Sequence, residues 1–83
     1  MKQIQYYGNK NIISSRVRKL RNQKSLSQEQ LAARMQTMNC NVDQQMISKI
    51  ENNRQVTDFE LACLCKCLET TPNEMLKDFG DLL

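Results

Sequence analysis

Gln44, Gln45, Ser48, Lys49 and Asn52 recur at the spacing of one helical face and share a chemistry. An amide side chain donates and accepts at once, so it can bond bidentately to N6 and N7 of adenine in a major groove. Lysine suits guanine O6 and N7, or a phosphate oxygen. Met46, Ile47 and Ile50 fall on the opposite side of the same stretch, where a core would take them. The one acid beside the polar face is Asp43, which stands where an N-cap belongs. A plain solvated helix is the alternative reading.

The elements that must position this face are legible from their caps. Ser27-Gln28-Glu29-Gln30, Thr57-Asp58-Phe59-Glu60 and Thr71-Pro72-Asn73-Glu74 each read as a capping box, the last with Pro at the first helical position. Apolar residues at helical spacing follow each of them. The pattern predicts five helices, over residues 12–24, 28–38, 44–52, 58–69 and 72–79. Gly and Pro total three residues and no alternating β-branched run occurs, which points to an all-α fold. Ile13, Val17 and Leu20 form the expected inner stripe of the first helix. Leu31, Ala32, Met35 and Met38 form that of the second, and Leu61, Leu64, Cys65 and Leu68 that of the fourth, while the short bridge Cys40-Asn41-Val42 is expected to offer two apolar side chains to the core. Asn39 and Asn53 are expected left-handed stops, and Gly80 the last one. Residues 1–11 show no period and are expected to form a flexible arm, leaving 12–83 as the domain.

At 83 residues the chain suffices for one small domain, which buries only about 60% of its unfolded surface. With two Tyr, two Phe and no Trp, its core must be aliphatic. The net charge of +3 is unevenly spread, at +7 over residues 1–54 and −4 over residues 55–83. A basic first part suggests a polyanion as partner. There is no run of about 18 apolar residues for a membrane span, and MKQIQYYGNKN lacks the apolar core of a signal peptide. A cytoplasmic protein is the expectation, and four free thiols agree with a reducing compartment. The chain has no histidine, no Gly-rich phosphate loop and no paired carboxylates in an evident cleft, so catalysis, cofactors and a small-molecule substrate are not expected. Cys40, Cys63, Cys65 and Cys67 lack zinc-site spacing and histidine help, so no metal is expected either. Cys65 and Cys67 read as core filler, whereas Cys63 is expected to face outward and to be the thiol open to oxidation.

The helix expected over 28–38 opens with Ser27-Gln28, and backbone N–H groups at a helix start bind phosphate well. One helix across the DNA backbone, followed by one whose first turn enters the groove, is the arrangement of a helix-turn-helix. LRNQKSLSQEQLAARM and QQMISKIENNRQVTDFELACLCKCLETTPNEML resemble the lambda-repressor-like (Cro/cI, XRE-type) helix-turn-helix family over about residues 12–79. The resemblance implies a sequence-specific, double-stranded-DNA-binding regulator of transcription. It would be a repressor from a bacterium, phage or mobile element, seated on a palindromic operator as a homodimer. It implies base reading by Gln44, Gln45 and Lys49, and backbone contacts from Gln28, Ser48, Asn52 and Arg54. It also implies a pairing of Arg21 with Glu51 that ties the first helix to the third. The chain departs from the family in two places. The connection over 36–42 is about five residues longer than usual, as in one subgroup, so the second helix must lengthen or the loop widen. Asn53 stands where the family has glycine.

A dimer surface is expected at the acidic end, with Phe79, Leu82 and Leu83. The second functional reading is an antitoxin or protein-interaction adaptor on the same fold. An interaction helix would want apolar anchors on its outward face, where this one offers amides.

Overall fold

Every helix but the first begins where a side-chain oxygen takes over an orphan backbone N–H. The computed structural model describes residues 11–76 and contains five helices. They are α1 (Ser14–Gln23), α2 (Gln28–Gln36), α3 (Gln44–Glu51), α4 (Asp58–Cys67) and α5 (Pro72–Met75), and no strand occurs among the described residues. Ser27 and Gln30 close a reciprocal capping box on α2, and Thr57 and Glu60 close another on α4. Asp43 accepts from the Met46 N–H at 2.8 Å to start α3. The Thr71 hydroxyl accepts from the Glu74 N–H at 3.1 Å, with Pro72 in the first turn of α5. Of α5's expected run to Phe79 and stop at Gly80, everything past Leu76 lies outside the described residues, as do Leu82 and Leu83.

The first four helices end alike. The Leu26 N–H bonds the Arg21 carbonyl and the Ser25 N–H that of Asn22. The same two bonds recur as Cys40 to Met35 with Asn39 to Gln36, Arg54 to Lys49 with Asn53 to Ile50, and Thr70 to Cys65 with Glu69 to Lys66. These are Schellman closures, and their pivots Ser25, Asn39, Asn53 and Glu69 all have positive φ. Asn39 and Asn53 are the stops expected from sequence; Asn53 carries φ 75° in place of the usual glycine. The long connection is accommodated outside α2. The helix ends at Gln36, a turn follows to Asn39, and Cys40 and Val42 then drop into the core. The Gln36 amide fastens this segment by donating to the Val42 carbonyl at 2.7 Å.

One aliphatic centre holds the helices together. Val17, Leu31, Met35, Ile47, Ile50, Leu64 and Met75 are fully enclosed, with Ile13, Leu26, Ala32 and Leu68 beside them. Leu20, Met38, Met46 and Leu61 are half-buried against its rim. α3 packs on α2 and α1, and α4 on α2 and α5. None of these helices is long enough to hold its shape alone in water, so α3 owes its fixed orientation to this packing. Asn11 belongs with the fold although it was expected in the arm. Its amide donates to the Ile50 carbonyl at 3.0 Å and the Arg54 carbonyl at 2.6 Å, which ties the entry of α1 to the exit of α3.

Cys63 corrects the sequence reading. It is 1% exposed, and Cys40, Cys65 and Cys67 are buried with it. The lengthened connection supplies the cover, because it carries Cys40 onto α4 where the Cys40 and Cys63 thiols meet. Burial first, and the Cys63 contact second, push the Cys40 thiol up to about 11. Thiols so placed are unreactive in the folded state.

Candidate nucleic-acid interface

The outward side of α3 exposes Gln44, Gln45, Lys49 and Asn52, with Ser48 half-buried among them. This is the face expected from sequence. Among the described residues the Gln45 and Lys49 side chains make no hydrogen bond or ion pair, so their donors and acceptors stay open to a ligand. Gln44 is oriented instead. Its Nε2 donates to Gln28 Oε1 at 2.6 Å, and Gln28 Nε2 donates in turn to Glu51 Oε1 at 3.2 Å. The first residue of α2 and the first of α3 are thereby fixed to each other. Arg21, Ser27, Gln28, Glu29 and Gln44 line one open furrow where the two helix starts converge.

Glu51 anchors the arrangement. Its carboxylate accepts from Arg21 Nε at 2.7 Å and Arg21 Nη2 at 3.1 Å, in the forked geometry that guanidinium and carboxylate share. Arg21 Nη1 donates to the Leu26 carbonyl at 2.8 Å, so one side chain ties α1, the turn into α2 and the end of α3. The pair expected from sequence is therefore present and nearly dry, with side-chain exposures of 13% for Arg21 and 1% for Glu51. Burial alone would push the Glu51 carboxyl up. Hydrogen bonds from Arg21, Gln28 and Arg18, together with the Arg21 charge, outweigh it and hold the group below the ordinary carboxylate value.

The sequence reads Arg18 with Arg16, Lys19 and Lys24 as cations of a mostly solvated helix, one or two of them touching phosphates, and the structure gives Arg18 partners on α3. Its Nη2 donates to the Glu51 carbonyl at 3.0 Å and its Nε lies 3.4 Å from Glu51 Oε1. The available signal was spacing, since Arg18 and Arg21 are three apart and share a helix face. Arg54 is drawn away from the α3 face. Its Nη2 binds Glu60 Oε2 at 2.7 Å and its Nη1 the Gln55 carbonyl at 2.7 Å. Burial opposes ionisation of Glu60, but the Arg54 contact and the Thr57 N–H hold its carboxyl below its ordinary value. Asn52 Nδ2 donates to the Ser48 carbonyl at 2.7 Å, within its own helix end. The structure thus gathers Gln28, Gln44, Arg21 and Glu51 into one network and aligns Gln45, Ser48, Lys49 and Asn52 along the open face.

A family model described as helix-turn-helix matches residues 17–75, from Val17 in α1 to the last residue of α5. The chain belongs to this family, the lambda-repressor-like, XRE-type helix-turn-helix proteins, which are DNA-binding regulators of transcription. Comparison with curated proteins and with solved structures returns no match. Among the described residues no helix is long and apolar enough to cross a membrane.

Proposed function

We propose that this chain is a sequence-specific repressor that occupies a palindromic operator in double-stranded DNA as a homodimer. Gln44, Gln45 and Lys49 read base edges. Gln28, Ser48 and Asn52 hold the sugar–phosphate strands, whereas Arg54, expected from sequence to join them, is engaged by Glu60 and the Gln55 carbonyl. The observation that carries the reading is the exposed amide and lysine face of α3, on a helix braced at its start by the exposed Gln44–Gln28 bond and at its end by part-buried bonds to Glu51. A face of this kind is pre-organised, so little ordering is left to do at binding. Repression follows sterically, because two such helices about 34 Å apart along one side of the duplex would cover a promoter. The adaptor reading draws on Phe59, which is 51% exposed on α4.

Selection of bound sites from a random duplex library tests the proposal. The wild type should enrich inverted half-sites spaced by about 10 base pairs. Replacing Gln44 and Gln45 together by Ala should flatten base preference at adjacent positions in each half-site. Affinity for random duplex should then change by no more than about twofold, since backbone contacts supply it. Equal losses on selected and random DNA would remove the base-reading assignment. Weak binding that ignores salt would favour the adaptor.

A further inference from the structure

We propose that Arg18 is an additional grip on the DNA backbone, held ready at the C-terminal end of α3. The inference rests on the proposed reading of α3 as the helix that enters the groove. Charge at this corner is unbalanced. Glu51 is one carboxylate facing two guanidiniums, and Arg21 already satisfies it through the forked, nearly dry pair. The surplus positive charge belongs to Arg18, whose side chain is 50% exposed.

The geometry favours an anchored cation over a freely waving one. The better bond from Arg18 runs to the Glu51 backbone carbonyl, at 3.0 Å, and that acceptor leaves the charge unneutralised. A cation there also suits the negative end of the helix dipole, which helps to hold it in place. Among the described residues Nη1 has no partner, so part of the guanidinium fork still faces outward. α1 carries no acid anywhere along SSRVRKLRNQ, and Lys19 adjoins Arg18 on its exposed side. The residue that follows Glu51 is Asn52, exposed at the edge of the proposed DNA face. An arginine fixed before binding loses less side-chain freedom on meeting a phosphate than a solvated one does. A purely solvated ion pair would explain the 3.4 Å approach to the carboxylate, but it gives no reason for the bond to the carbonyl.

The test is the salt dependence of duplex binding, followed by fluorescence anisotropy between about 50 and 200 mM salt. Arg18→Gln should lower the slope of log K against log salt by about 0.9, and affinity by about eightfold near 0.1 M salt. The loss should be the same on a selected site and on random duplex. Arg18→Lys should keep the wild-type slope because it keeps the charge. Should the glutamine variant fail to fold by circular dichroism, Arg18→Met, which retains the aliphatic stem, repeats the measurement. An unchanged slope overturns the inference. So does a loss confined to the selected site, which would make Arg18 a positioning residue of α3. Wild-type binding that is flat with salt overturns the underlying DNA-binding reading as well, and is thereby told apart.

Discussion

Glu51 stays ionised although only 4% of its surface is exposed. Arg18 and Arg21 from α1 and Gln28 from α2 make this possible, and together they tie the end of α3 to both helices. Removing one partner of a buried pair strands the other, which is why the loss exceeds the worth of the pair itself. Arg21→Ala should therefore destabilise the protein by about 3 kcal/mol at neutral pH, and lower Tm by at least about 10 °C. The deficit should depend on pH. The folded carboxyl lies below its ordinary value of 4.5, so its contribution is complete above that pH and fades as pH falls through the folded value. Melting curves followed by circular dichroism should therefore show wild type and variant converging in acid. A constant gap would mean that Arg21 acts through packing alone. The Arg21–Glu51 pair was legible from the sequence through the family resemblance. Arg18 was not, because a half-exposed arginine in a basic helix looks like any solvated one until its acceptor is seen.

At the scale of elements, starts were more legible than stops. Ser27, Asp43, Thr57 and Thr71 mark the starts of α2 to α5 because a short oxygen-bearing side chain before a helical run has one evident use. Ends have no comparable signature unless the pivot is Gly or Asn. Asn39 and Asn53 could be read for that reason, while Ser25 and Glu69 adopt the same positive φ with residue types that give no warning. A left-handed residue other than glycine carries steric strain of about 1–2 kcal/mol, which glycine relieves at some cost in chain entropy. Ser25 is exposed and its side chain makes no hydrogen bond among the described residues, so nothing else is lost on replacing it. Ser25→Gly should raise stability by roughly 0.5–1 kcal/mol, a gain of about 2–8 °C in Tm. Glu69→Gly would be a poorer choice, since it also removes the contact with Lys24 at 2.9 Å. An unchanged or lower midpoint in Ser25→Gly would show that the turn carries no strain to relieve.

For the molecule as a whole, the helix order was readable, and so was the use of the Cys40-Asn41-Val42 bridge, whose two apolar side chains are each 2% exposed. Whether the second helix would lengthen or the loop widen was not readable, because periodicity cannot place residues that belong to no helix. One consequence links stability to binding. All four thiols are buried, and burial raises those of Cys40, Cys65 and Cys67 above their ordinary value, so a thiol reagent must wait for the domain to open. None of the four lies on the exposed face of α3, so a bound duplex cannot shield them by contact. It can protect them only by stabilising the folded state, in the ratio 1 + [DNA]/Kd. Free operator at about 100 times Kd should then slow the labelling of every cysteine by about 100-fold, with random duplex doing less at the same concentration. Labelling rates measured by mass spectrometry with and without DNA check this. Protection of every cysteine except Cys40 would mean that the connection opens by itself. Rates indifferent to DNA would mean that labelling does not pass through global opening.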